Sequence, residues 1–127
     1  MKVVLVRHAE AAPGDPDELR ALTPEGREQA RRLGEQLRTD GVEPDAVLTS
    51  PLRRARETAA GLGFGEPEPL EELGPGATAD DVKAAVSTRG ETVVVVGHQP
   101  DCSLITAALR GGDAPAFPPA GVQIVEL

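Results

Sequence analysis

The sequence predicts an α/β domain of three layers, an α/β/α sandwich with helices on both faces of a largely parallel central sheet. Three observations support this fold class. Short apolar runs alternate along the chain with segments of helical periodicity. The runs Val3–Val6 and Thr92–Val96 are largely apolar, as is typical of strands buried on both faces. The 127 residues contain no repeat, low-complexity tract or interdomain linker, so a single domain over residues 1–127 is expected.

Cap residues and glycine and proline content set the expected bounds of the other elements. Thr23 is expected to cap the first helix, with Pro24 at its first position. Ser50 and Pro51 are expected to form the cap and first turn of the second helix. The remaining expected elements are, in chain order, a loop over 11–17, an end of the first helix at 40–41, a strand over 46–49, an end of the second helix near 61, a loop over 63–77, a short helix over 81–87 capped by Thr78 or Asp80, a helix over 101–109 and a strand over 122–127.

Charge and composition exclude several classes of partner. Thirteen basic against twenty-one acidic residues give a formal charge of −8, which repels phosphate backbones and anionic membranes, so neither nucleic acid nor membrane is an expected partner. Phe64 and Phe117 are the only aromatic residues, so stacking on nucleic-acid bases is not expected. The single cysteine, Cys102, fits a reducing compartment, and the short N-terminal apolar run is neither a signal peptide nor a membrane span. A cytoplasmic location is therefore expected.

The two histidines of the chain each follow an apolar strand. His8 comes after Val3–Val6 and His98 comes after Val93–Gly97. Because ligands of open α/β sheets bind outside the carboxyl ends of the strands, both rings are expected to face one crevice. A neutral imidazole is a nucleophile near neutral pH when a backbone carbonyl holds the proton of its other nitrogen. The sequence therefore predicts His8 as a nucleophile and His98 as a hydrogen-bond donor to the same ligand.

Arginines beside His8 and at the start of the second helix indicate that the ligand is a phosphoryl group. Arg7 precedes His8, and Arg54, with Arg53 as its rival, lies at the start of the second helix. A planar guanidinium matches the equatorial oxygens of a transferring phosphoryl group better than lysine does. A helix N-terminus adds backbone N–H groups that favour an anion. The alternative for Arg53, Arg54 and Arg56 together is an ordinary charged helix face.

Four ordered sequence blocks resemble the motifs of the histidine phosphatase superfamily, which has the phosphoglycerate-mutase-like fold. The compact pattern looks most like its SixA-type phosphohistidine phosphatase branch. The resemblance extends over nearly the whole chain. The blocks are Arg7-His8-Ala9-Glu10, Leu22-Thr23-Pro24-Glu25-Gly26, the stretch from Ser50 to Thr58, and Val96-Gly97-His98-Gln99-Pro100.

The resemblance implies a role for each matching residue. His8 matches the phosphorylated nucleophile, Arg7 and Arg54 match the two arginines that bind the phosphoryl oxygens, and His98 matches the second histidine. It also implies a phosphohistidine intermediate that water hydrolyses, with no metal and no cofactor. The implied substrate is phosphorylated, with a phosphohistidine protein as the leading candidate.

The residue that would protonate the leaving group is the weakest part of the pattern. Phosphomonoesterases of the superfamily use a carboxylic acid for this step; Glu71 and Glu72 lie in about the right stretch, and Glu72 fits slightly better. An alkoxide leaves poorly without an acid, which is worth ~10²–10⁴-fold, whereas the nitrogen of a phosphoramidate needs less help. A weak acid motif therefore favours phosphohistidine as substrate.

Four alternatives remain at this stage. A small-molecule phosphomonoesterase would use the same four residues together with an acid, and a non-catalytic phosphate-binding module would have no need of the nucleophile. A cysteine phosphatase is disfavoured because no arginine follows Cys102 until Arg110. A zinc site on His8, His98 and Glu10 is disfavoured because the flanking arginines oppose a cation.

Overall fold

The computed structural model describes residues 1–127 and contains a five-stranded sheet with helices on both faces. This confirms the α/β class with a mostly parallel sheet. The strands are β1 (Lys2–Arg7), β2 (Ala46–Thr49), β3 (Glu68–Pro69), β4 (Thr92–Gly97) and β5 (Val122–Glu126). The helices are α1 (Pro24–Thr39), α2 (Arg53–Gly61), α3 (Ala79–Val86) and α4 (Asp101–Arg110), with single 3-10 turns at Asp17–Leu19 and Glu71–Leu73. None of these helices has the length and apolar character needed to span a membrane.

The sheet order, β3-β2-β4-β1-β5, makes β1 and β4 neighbours. They pair in parallel with Arg7 opposite Gly97, while β5 runs antiparallel to β1 at the edge. Parallel pairing in this register brings the carboxyl ends of β1 and β4 to the same place. His8 and His98, each the first residue after its strand, therefore leave the sheet side by side.

The core consists of two large apolar clusters, one on each face of the sheet. Successive residues of β1 alternate between them: Val3 and Leu5 join one cluster, and Val4 and Val6 join the other. The first cluster packs against α3 and α4, and the second against α1 and α2. Both faces of β1 and β4 are covered, which explains why the four central residues of each strand are all apolar rather than alternating with polar ones.

Two expected helix caps are confirmed. The Thr23 hydroxyl accepts a hydrogen bond from the Gly26 backbone N–H at 2.9 Å and starts α1. Thr78, rather than Asp80, caps α3, in a capping box whose other member is Asp81. The helices α1 and α2 pack closely against each other. A Cβ added at Gly34 of α1 would lie 2.1 Å from the Leu62 carbonyl oxygen at the end of α2.

Two sequence predictions are wrong. Ser50 does not cap α2, which begins at Arg53 and has Leu52 at its N-cap with no side-chain hydrogen bond. Ser50 instead continues the pairing of β2 with β4 by one residue, because its backbone N–H donates to the Val96 carbonyl at 3.0 Å. The predicted loop over 63–77 contains the two-residue strand β3 and the 3-10 turn Glu71–Leu73. A two-residue strand that ends in proline carries too little periodicity to be recognised.

Candidate active site

The His8 ring is held in one tautomer. Its Nδ1 lies 2.7 Å from the Ala9 carbonyl oxygen, and since a carbonyl only accepts, Nδ1 carries the proton. Nε2 is then an unprotonated nitrogen with a free lone pair. Burial lowers the pKa of His8 below its usual 6.5, opposed by the Ala9 hydrogen bond and reinforced by the charges of Arg54 and Arg7. At neutral pH the ring is therefore neutral and nucleophilic.

A chain of hydrogen bonds ties this tautomer to α2. The Ala9 backbone N–H donates to the Thr58 hydroxyl at 2.9 Å, and that hydroxyl donates to the Arg54 carbonyl at 2.8 Å. Thr58 is completely buried. Ala9, whose carbonyl orients the His8 ring, is thus tied through its backbone N–H to the helix that carries Arg54.

His98 lies beside His8, with the ring centroids 5.3 Å apart and the planes inclined by 59°. Its Nε2 is 2.8 Å from the Ser50 hydroxyl oxygen, while its Nδ1 is buried without a hydrogen-bond partner. Burial, followed by the charges of His8 and Arg54, lowers the pKa of His98 to about 4. With only 5 % of its surface exposed, His98 is a neutral ring that presents one unpaired nitrogen.

Arg54, and not its rival Arg53, is the arginine of α2 that turns inward. Arg54 is 7 % exposed, and its charge lowers the pKa of both histidines. Its Nη1 donates to the Asp17 backbone carbonyl at 3.0 Å, and its Nη2 donates to Asp17 Oδ2 at 3.1 Å. Arg53 is exposed and pairs with Glu57 along the helix surface at 3.1 Å.

Arg7 completes the cluster from the end of β1. Its Nη1 donates to the Phe117 carbonyl at 3.0 Å, which fixes the guanidinium, and its Nε is buried without a partner. Arg7 Nε and His98 Nδ1 are the only buried side-chain nitrogen or oxygen atoms in the chain that lack a partner. Buried polar groups are almost always paired, so two orphans on adjacent strand ends indicate a ligand that supplies oxygen acceptors.

The two glutamates considered as acids lie on the surface. Glu71 and Glu72 occupy the exposed 3-10 turn that precedes Gly74, and neither hydrogen-bonds to a histidine. The charge of Glu72 instead reaches Arg89, whose pKa is raised mainly by its hydrogen bond with Glu68 and to a smaller extent by Glu72. The structure therefore does not bring Glu72 into contact with the histidine pair.

Asp17 is the carboxylate that the structure does bring to this cluster, and sequence reasoning missed it. It pairs with Arg20 at 3.2 Å and with Arg54 at 3.1 Å, and hydrogen bonding to Arg20 first and Arg54 second lowers the pKa of its carboxyl group. It is ionised at neutral pH, so it is a poor proton donor. Its position in a Pro- and Gly-rich loop gave no periodic signal, and only its spacing before Arg20 hinted at a local ion pair.

Ser50 and Thr58 are two further residues of this cluster to which the sequence assigned no role in binding or catalysis. Ser50 looked like a helix cap, and Thr58 was one residue among many in an arginine-rich block. The useful signal for Ser50 was its place directly after a buried strand, as for both histidines.

The remaining chemical candidates lie outside this cluster. No group of three or more histidine, cysteine or carboxylate side chains is arranged to hold a metal ion. Cys102 is in the core, where burial raises the pKa of its thiol to about 12, so it is not a reactive thiolate.

Comparison with known proteins identifies the family. The sequence profile of the histidine phosphatase superfamily (branch 1) matches residues 3–74. Phosphohistidine phosphatase SixA of Escherichia coli is 30% identical over 91% of this chain and 78% of its own length. An uncharacterized protein of Mycobacterium tuberculosis is 33% identical over 96% of this chain and 87% of its own length.

A solved structure shows the same fold over the whole chain. The protein histidine phosphatase SixA complexed with tungstate superposes with a TM-score of 0.90 at 29% identity, covering 100% of this chain and 88% of the other. Sequence profile, curated relative and solved structure agree. The chain therefore belongs to the histidine phosphatase superfamily, branch 1, and within it to the SixA-type phosphatases.

Proposed function

We propose that this phosphatase removes phosphoryl groups from phosphohistidine side chains of proteins, without a metal, through a phosphohistidine intermediate on His8. The observation that carries the proposal is the arrangement around His8 Nε2. The ring offers a free lone pair, and the orphan nitrogens of Arg7 and His98 lie on the adjacent strand ends. A tetrahedral phosphoryl group supplies the oxygen acceptors that these nitrogens lack.

The reaction has two steps, each a displacement at phosphorus. His8 Nε2 forms a bond to phosphorus as the bond to the substrate nitrogen breaks, and the leaving imidazole takes a proton from solvent. A water oxygen then bonds to phosphorus, the bond to His8 breaks, and the proton of the water passes to solvent as phosphate leaves. Arg7, Arg54 and His98 stabilise the charge on the equatorial oxygens in both steps.

The surroundings of the site favour a nitrogen leaving group. Asp17, the carboxylate paired with Arg54, has a lowered pKa, and Glu71 and Glu72 are exposed and make no hydrogen bond to the histidines. An alkoxide leaving group needs a proton donor, whereas a phosphoramidate nitrogen leaves with less assistance. The relative SixA, a phosphohistidine phosphatase of Escherichia coli, supports the same choice.

The test compares two neighbouring arginines on one helix. Phosphate release from a phosphohistidine peptide is measured for the wild type, His8→Ala, Arg54→Ala and Arg53→Ala, with an aryl phosphate as a parallel substrate. We expect no turnover by His8→Ala and a loss of roughly 10²–10³-fold in kcat for Arg54→Ala, the cost of removing one donor to the transition state. Arg53→Ala is the matched control because that side chain lies on the surface, and it should keep its activity.

Three results would redirect the proposal. Equal losses in the Arg53 and Arg54 variants would reject the assigned roles. Strong aryl phosphate turnover would favour a small-molecule phosphomonoesterase and renew interest in Glu72 as its acid. Tight phosphate binding with no turnover of either substrate would favour a binding module.

A further inference from the structure

Ser50 and His98 form a buried hydrogen-bonded pair at the base of the site. Ser50 Oγ lies 2.8 Å from His98 Nε2, and Ser50 is fully buried. The two residues are fixed by the sheet, since β2 pairs with β4 in parallel with Thr49 opposite Val96, and the Ser50 backbone N–H donates to the Val96 carbonyl. Their separation is therefore set by strand register rather than by a flexible loop.

We propose that Ser50 is a positioning residue that donates its hydroxyl proton to His98 Nε2 and so keeps the His98 proton on Nδ1, facing the phosphoryl group. This inference rests on the proposed function only for the identity of the ligand. The assignment of the proton follows from the hydrogen bonds of Ser50 to a neutral ring and from the acceptor that a ligand supplies at Nδ1.

Counting donors and acceptors selects this arrangement. The Ser50 hydroxyl has one hydrogen and two lone pairs, and one lone pair already accepts from the Leu52 backbone N–H at 3.2 Å. If Ser50 donates to Nε2, its hydrogen is paired. If Nε2–H donated to Ser50 instead, the hydroxyl hydrogen and the Nδ1 lone pair would both be buried without a partner. The proposed arrangement leaves only the Nδ1–H, which an oxygen of the ligand can accept.

The tautomer matters because the ring is neutral. Burial and the nearby positive charges lower the pKa of His98, so at neutral pH the ring carries one proton. On Nδ1 that proton makes the orphan nitrogen a donor to a phosphoryl oxygen. On Nε2 it would leave a lone pair at Nδ1, which repels the same oxygen. His8 already has its proton on Nδ1, so both rings have the same tautomer. In His8 this tautomer leaves a free lone pair on Nε2 for attack, whereas in His98 it makes Nδ1 a hydrogen-bond donor for binding.

The proposal is tested by the ¹⁵N chemical shifts of the two imidazoles at neutral pH. The chain has two histidines, and a His98→Asn variant assigns the signals. We expect His98 of the wild type to show a protonated Nδ1 and an unprotonated Nε2. In Ser50→Ala the Nε2 loses its donor, and the proton should redistribute towards Nε2. Ser50→Thr keeps the hydroxyl and should retain the wild-type pattern.

The activity readout separates positioning from stability. We expect Ser50→Ala to lose roughly 10- to 100-fold in kcat/KM, because the hydrogen bond from His98 to a charged phosphoryl oxygen is weakened. Thr49→Val is the matched control: it removes a neighbouring buried hydroxyl that donates to the Ser50 carbonyl and does not hydrogen-bond to His98. It should leave both tautomer and activity unchanged. If Ser50→Ala fails to fold, Ser50→Cys, whose thiol is a weaker donor, takes its place.

The outcomes distinguish this proposal from the proposed function. A wild-type His98 with its proton on Nε2 overturns the Ser50 inference whatever the activity. A tautomer that changes in Ser50→Ala without loss of kcat/KM overturns the positioning role. The expected tautomers in a protein that releases no phosphate would instead count against the proposed function and leave the proton assignment standing.

Discussion

The Thr58 hydroxyl provides a direct test of how the fold holds His8, the proposed nucleophile. It accepts from the Ala9 N–H and donates to the Arg54 carbonyl. Thr58→Val keeps the shape of the side chain and removes both bonds. The Arg54 carbonyl keeps its helical N–H partner, but the Ala9 N–H is left buried and unpaired, which costs about 1–3 kcal/mol.

The expected loss is large enough to measure by thermal unfolding. At about 2.1 cal/mol/K per residue, 127 residues have an unfolding entropy of about 0.27 kcal/mol/K, so Tm should fall by about 4–11 °C. Activity should fall as well, by roughly tenfold in kcat, because the substitution releases the backbone N–H of Ala9, the residue whose carbonyl orients His8.

Thr106→Val is the control for this prediction. Thr106 is equally buried and donates to the Cys102 carbonyl one turn back, but no hydrogen bond donated to its hydroxyl is present. Its substitution therefore removes a similar hydroxyl and leaves no N–H unpaired. A Thr58→Val protein no less stable than Thr106→Val, or one with unchanged kcat, would contradict this role of the Thr58 hydroxyl.

Three further predictions concern charge, pH and packing. The folded pKa of His98, about 4, lies below the ordinary 6.5, so the unfolded state takes up its proton first as the pH falls. The contribution of His98 to the free energy of unfolding should be fully present above about pH 6.5 and should fall by up to about 3 kcal/mol towards pH 4. Urea unfolding at several pH values should show a smaller decline for His98→Asn than for the wild type. Asp17→Asn removes the negative charge beside Arg54 and keeps an oxygen acceptor, so competitive inhibition by phosphate should strengthen roughly two- to fivefold, and a weaker inhibition would contradict this. Gly34→Ala places a methyl group against the Leu62 carbonyl and should lower the free energy of unfolding by about 1–3 kcal/mol in denaturant titrations, despite the better helix propensity of alanine.

The sequence predicted the parts of the site that are fixed by single strands. His8 and His98 follow continuous apolar runs, and a run of this kind determines both that a strand is buried and where it ends. The bounds of α1 were equally accessible, because Thr23 and Pro24 are local signals that do not depend on the rest of the fold.

Contacts between distant segments were not predictable from the same signals. Ser50 carries the same local pattern whether it caps a helix or hydrogen-bonds to a histidine 48 positions away. The pairing of Asp17 with Arg54 depends on how a loop without periodicity folds over α2. The antiparallel direction of β5 is likewise set by the path of the chain after α4 and not by the composition of the strand.

The pairing of β1 with β4 also has a consequence for protein synthesis. The register joins Lys2 to Thr92, so His8, the proposed nucleophile, is synthesised long before the strand that precedes His98. A fragment that ends before β4 therefore has the Arg7-His8 pair but no assembled phosphoryl site. The valine-rich strand Thr92–Gly97 enters the sheet between β1 and β2, which are synthesised before it. The backbone N–H and C=O groups on both of its edges are therefore hydrogen-bonded once it pairs, which leaves no exposed edge for aggregation. The pairing of β4 with β1 thus brings His98 beside His8 and covers one backbone edge of β4 at the same time.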